Sequence, residues 1–178
     1  MSKLAILVLV ALGVALCACG NGPNTNTTNN TKTTGNWEAR LIGGTQQASL
    51  LNFVVTFSVT NNGPLNITGF GFINDGACFA TGLNAENENG NASFTTDNSG
   101  KVTGTLSLTV NSINPPGNTL SLTGNLTGTS NGTTTTTGTL SNGVVVGNWT
   151  LTGGAGDPSC SGSGSFLMCQ GNATCTAP

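Results

Sequence analysis

From Asn36 onward, apolar residues recur at every second position. Trp37, Ala39 and Leu41 fall on one side of their run, with Glu38 and Arg40 on the other. Phe53, Val55, Phe57 and Val59 alternate with Val54, Thr56, Ser58 and Thr60. Val102, Gly104, Leu106, Leu108 and Val110 do the same against Lys101, Thr103, Thr105, Ser107 and Thr109. So do Leu120, Leu122, Gly124 and Leu126, and then Val145, Gly147, Trp149 and Leu151. A period of two marks strands with one buried face. The intervening positions are mostly Thr, Ser and Asn, and Thr forms strands well while facing water.

Turn signals separate these runs: Asn62-Gly63-Pro64, Asp75-Gly76, Asn98-Ser99-Gly100, Pro115-Pro116-Gly117, Asn131-Gly132 and Asn142-Gly143. Asn-Gly and Asp-Gly suit hairpin turns that need positive φ. No run beyond the N-terminal leader has helical periodicity. The pattern predicts one all-β domain, an antiparallel meander of about eight to ten strands. Glycines inside the strands (Gly69, Gly71, Gly82, Gly104, Gly124, Gly138, Gly147) point to strong curvature. Curvature favours a closed or nearly closed barrel, which removes sticky edges; a two-sheet β-sandwich is the second choice. Leu65 and Ile67 share one parity and Phe70 and Phe72 the other. A β-bulge at Gly69 accounts for that switch. The triplets Gly35-Asn36-Trp37 and Gly147-Asn148-Trp149 are expected in strands adjacent at the closure, with both tryptophans plugging the core. The alternative role for Trp37 and Trp149 is aromatic contact with a glycan.

Charge narrows the chemistry. Of 178 residues only 6% are charged, with four Lys+Arg, six Asp+Glu, no His and no Tyr, against 27 Gly, 30 Thr and 24 Asn. A typical soluble domain is roughly 25% charged. Without His, the commonest acid–base group is missing, as are His-ligated metal sites and Ser-His or Cys-His nucleophile pairs. Four basic residues make no patch for nucleic acid. The composition argues against an enzyme and calls for no cofactor.

The N-terminus is of another kind. Lys3 precedes an uncharged run, Leu4–Leu16, of 13 residues. That suits a signal-peptide core and is short of the ~20 residues that span a bilayer. Leu16-Cys17-Ala18-Cys19-Gly20 resembles the lipobox of bacterial lipoproteins, with Leu at −3, Ala at −1 and Cys at +1. The resemblance implies cleavage after Ala18 and lipidation of Cys19; Cys17 fits worse, having Leu16 before it. The rival is an ordinary secretory leader cut nearby. Gly20, in place of an Asp, leans towards the outer membrane of a bacterial envelope. The expected partner is therefore membrane lipid, held through two or three acyl chains. Residues 1–18 read as the leader and 19–35 as lipidated Cys plus an Asn/Thr-rich tether. The 15 residues Asn21–Gly35 cannot offset their ordering entropy. As a coil they span roughly 20 Å.

Residues 36–178 then form the β-domain. It resembles small Gly/Thr-rich lipoproteins of unknown function from environmental bacteria. The shared features are a G-x-W first strand, G-x-L-rich hairpins and the late segment Gly153-Gly154-Ala155-Gly156-Asp157-Pro158-Ser159-Cys160 followed by Ser163-Gly164-Ser165-Phe166. The resemblance implies a fold type and a cell-surface setting and carries no catalytic residue. Setting Cys17 and Cys19 aside leaves Cys78, Cys160, Cys169 and Cys175. An even number in an exported domain suggests two disulfides, with Cys78–Cys160 and Cys169–Cys175 the preferred pairing. With no C-x-x-C spacing among them, thiolate metal binding is disfavoured.

One polar stretch remains, Asn84 to Asn91. It is expected as a solvated hairpin loop. Asn84, Glu86 and Glu88 are its candidate ligands, since Ca²⁺ takes carboxylate and amide oxygens. The spacing is not that of an EF-hand. Glu86 and Glu88, i and i+2 on a loop, cannot hold the separation glycosidase chemistry needs. The Thr133–Thr137 run is expected as a strand polar on both faces. Functionally the chain reads as a lipid-anchored envelope barrel acting as a binding or structural module. A surface adhesin contacting glycans or protein is the alternative, and an enzyme a distant third.

Overall fold

The computed structural model describes residues 31–44, 48–60, 62–80, 86–113, 116–132, 138–153 and 158–171. Nine strands follow in order: β1 (Thr31–Ile42), β2 (Asn52–Thr60), β3 (Asn62–Pro64), β4 (Asn66–Asn74), β5 (Glu86–Thr96), β6 (Lys101–Ser112), β7 (Thr119–Ser130), β8 (Gly138–Thr152) and β9 (Gly162–Gln170). Short 3-10 turns precede β2 and β9. All nine strands join one sheet, in the order β3-β5-β6-β7-β8-β9-β1-β2-β4. It is an all-β antiparallel meander curled into a half-barrel. β1 begins at Thr31, so residues 31–35, assigned above to the tether, are strand, paired with β2 and β8.

The curl is fixed at one corner. β3 and β4 occupy opposite edges of the sheet, yet only Leu65 separates them in the chain. β3 pairs with β5 over residues 91–93, and the Leu65 N–H donates to the Gly90 carbonyl at 2.9 Å. Asn62-Gly63-Pro64, expected as a turn, is that bridging strand. The two GNW triplets lie in β1 and β8, both of which pair with β9.

The alternating apolar positions all face inward. Trp37, Phe53, Val55, Phe57, Leu106, Leu108, Leu120, Leu122, Val145 and Phe166 are among the buried side chains that fill the interior. Each large aliphatic or aromatic group so buried contributes about 1.5–3 kcal/mol of transfer free energy. Glycine makes the tightest layer possible. Gly124 and Gly147 face each other across β7 and β8, and the next partner in register is Phe166. A Cβ on Gly124 would lie 2.9 Å from the Phe166 ring, and one on Gly147 would lie 2.1 Å from the Thr123 carbonyl oxygen.

Register shifts re-aim β4 and β8. In β4, Thr56 pairs with Gly69 but Phe57 with Ile67, so the extra residue is Thr68 and the bulge lies where the parity switch put it. Asn142-Gly143, expected as a turn, sits inside β8 instead. There Val144 pairs with Thr127 and Ser141 with Thr129, which sets Asn142 and Gly143 opposite Gly128. Asn142 takes φ 52°, so the positive φ that Asn-Gly favours makes a bulge here. A Cβ on Gly143 would lie 2.4 Å from Trp37, so the kink seats that indole.

The acid-bearing loop end of the half-barrel

The strand directions divide the molecule into two ends. One end holds the start of β1, the β5–β6 turn and the last described residue, Gly171. The other, the loop end, gathers the β1–β2, β4–β5, β6–β7 and β8–β9 connections.

The loop end is tied across the interior. Cys78, after β4, and Cys160, before β9, form a disulfide with a Cα–Cα distance of 5.3 Å. The Cys78 carbonyl accepts a hydrogen bond from the Asn118 side-chain amide, and the Cys78 N–H donates to the Asp75 carbonyl at 3.0 Å. The Asn118 carbonyl in turn accepts from the Ser112 N–H at 2.9 Å. Residues 75–79 thus bridge from β4 to the heads of β6, β7 and β9. Phe79 stacks on Phe72 at 4.6 Å between ring centroids, beside the Phe53 and Phe70 rings.

Glu86 and Glu88 belong to this end, and not to a solvated loop. They are the first inward-facing residues of β5, on the face that carries Ala92 and Phe94 further along. Their register partners are Ser112 and Val110 on β6. The alternation E-N-E-N-G-N places the asparagines in solvent and the glutamates inside. Glu86 is only 8% exposed, and its Oε1 has no hydrogen-bond partner. Burial pushes its carboxyl above the ordinary glutamate range, and the neighbouring charges of Glu88 and Asp75 add to the rise. Burial also raises Glu88, partly offset by its own backbone N–H. Asp75 sits in a turn in which its Oδ1 accepts from the Ala77 N–H at 2.9 Å.

The described basic residues sit apart from this pair. Arg40 is 3.2 Å from Glu38, and Lys101 lies beyond the far end of β5. Lys32 pairs in register with Thr60 and Thr139, also at the far end. Among the described residues no three His, Cys, Asp or Glu side chains are gathered closely enough to ligate one metal ion by themselves.

The remaining sequence candidates divide as follows. Trp37 and Trp149 are fully buried, so neither offers a face to a glycan. Trp37 stacks on Phe57 at 5.4 Å, and the Trp149 Nε1 donates to the Ile42 carbonyl at 3.2 Å. Cys169 is disulfide-bonded. Its expected partner Cys175, the lipidation candidate Cys19, the ligand candidate Asn84 and the Thr133–Thr137 run all lie outside the described residues. Asp75, Ser112 and Asn118 were not singled out as site residues. Asp75-Gly76 read only as a turn, and nothing local marks Asn118 as the group that holds Cys78.

The outer wall contrasts with this end. Rows of partnered residues run across β5, β6 and β7: Thr95, Thr103 and Thr127; Ser93, Thr105 and Asn125; Asn91, Ser107 and Thr123. A shallow depression of about 370 Å³ opens among Asn91, Ser93, Thr105, Ser107 and Thr123. No charged side chain faces outward between these rows. No protein-family model, curated protein or solved structure matches the chain.

Proposed function

We propose that the protein is a lipid-anchored component of a bacterial cell envelope, held at the outer membrane through Cys19, and that it acts as a binding or structural module. The observation that supports this most is the polarity of the half-barrel. β1 starts at the end opposite the disulfide-tied loops. A chain anchored upstream of Thr31 would therefore hold its loop end away from the lipid. The packed interior argues that any ligand is met at a surface and not carried inside. The test is Cys19→Ser with fractionation and intact-mass measurement of the membrane-extracted protein. The variant is expected in the soluble fraction, and the wild type should carry the mass of two or three acyl chains. A variant that stays membrane-bound overturns the anchor.

A second reading, contact with glycans, is favoured by the uncharged outer wall. Hydroxyl and amide groups in register match sugar hydroxyls, and the wall depression would be the contact. On a glycan array, Thr105→Val with Ser107→Val should abolish any signal while leaving the fold intact.

A further inference from the structure

The envelope reading leaves unexplained why a chain so short of charge buries a carboxylate. Three of its six acids, Asp75, Glu86 and Glu88, meet at the loop end. A cluster of acids is by itself ordinary surface chemistry. Here one member is more than nine-tenths buried, with an oxygen that meets no donor. An ionised carboxylate in that position is costly unless a cation or donor satisfies it. The described basic residues are engaged or lie at the other end.

We propose that Glu86 and Glu88 form a low-affinity Ca²⁺ site at the loop end of the half-barrel. The donor chemistry selects the ion. Without His, and with Cys78, Cys160 and Cys169 in disulfides, the site offers oxygen alone, which suits a hard cation. The flexible coordination of Ca²⁺ accepts two carboxylates completed by main-chain oxygens and water. Asp75 contributes field and not a ligand, since among the described residues no three acids gather around one point. So small a protein ligand set belongs with affinities on the order of 10⁻⁴–10⁻³ M, the range of extracellular modules. The support beneath the pair is rigid: Glu86 and Glu88 are held in the β5–β6 ladder, and the segment following Asp75 is pinned by Asn118 and the disulfide.

The experiment uses the full mature chain, stripped with chelator, in thermal denaturation and titration calorimetry with CaCl₂. At 10 mM the wild type should gain about 3–6 °C in Tm and release or absorb heat with a one-site isotherm. Glu86→Gln and Glu88→Gln should each lose that response while remaining folded. Asp97→Asn, at the far end of β5, should keep it. The absence of any shift or heat in the wild type overturns the site. So does a shift of equal size in the Glu86→Gln, Glu88→Gln double variant, or from NaCl at matched ionic strength.

Discussion

Glu86 and Asp97 stand at opposite ends of one strand and in opposite electrostatic circumstances. Asp97 closes the β5–β6 turn. Its Oδ1 accepts from the Ser99 hydroxyl at 2.6 Å, the Ser99 N–H at 2.8 Å and the Lys101 N–H at 3.0 Å. Those donors, the Ser99 hydroxyl foremost, hold its carboxyl below the ordinary aspartate range. Glu86 opens the same strand with an oxygen that has no donor and with two acids nearby. Asp97 lies in Asp97-Asn98-Ser99-Gly100, where the turn residues point their own N–H groups back at it. Glu86 faces inward opposite Ser112 of β6, where the backbone is consumed by the ladder. One end of the half-barrel is electrostatically finished by local sequence; the other leaves a buried carboxylate oxygen without a donor.

Removing the loop-end staple should have the largest effect. Cys78→Ser with Cys160→Ser opens a loop of sequence separation 82 and should cost about 2–5 kcal/mol in urea denaturation. A loss under about 1 kcal/mol would mean that the loop end holds without its disulfide. Next come the two tryptophans. Trp149→Phe leaves the Ile42 carbonyl without its donor and should cost about 1–3 kcal/mol on that account. Trp37→Phe removes an indole N–H that has no partner, so its Tm should fall less. Equal losses would break the distinction.

The acids give the smaller and opposite effects. Glu86 is raised in the folded state, so the folded protein binds its proton more tightly than the unfolded chain does. Stability therefore rises as pH falls through its folded pKa towards the unfolded value, near 4.5. Glu86→Gln should raise stability by about 1 kcal/mol at pH 7, in Ca²⁺-free buffer, and flatten that slope. Asp97 is lowered, so its contribution is present above its unfolded value, near 3.8, and is lost as pH falls through the folded one. Asp97→Asn should lower Tm slightly at pH 7, and the difference should vanish in strong acid. A thermal series from pH 7 to pH 2 reads both: wild-type stability climbs first and then drops.

Much of the wall was legible in the sequence. Period-two alternation identified the inward faces of β1, β2, β6, β7 and β8, because a half-buried sheet must bury every second residue. The Leu65-to-Phe72 parity switch located the β4 bulge for the same reason. Asn142-Gly143 went astray because its backbone preference serves a bulge as well as a turn. The site was half legible. Glu86 and Glu88 were singled out as residues but placed on a loop, since at the barrel end the inward positions of β5 are no longer apolar and the alternation loses its contrast. Asp75 and Asn118 join them only through the fold, from separate loops, and no spacing along the chain records that.

The place of β1 in the sheet has a mechanical consequence. It is flanked by antiparallel β2 over residues 32–40 and by antiparallel β9 over residues 37–42. Ladder hydrogen bonds lie across the strands. A pull applied to the start of β1, as from a tether, runs along the strand and loads both ladders in shear. Many bonds must then fail together before the strand slides, whereas the edge strand β4, joined to β2 alone, can be peeled away one bond at a time. A half-barrel pulled at the start of β1 would thus share the load between two ladders, where a pull on β4 would load one.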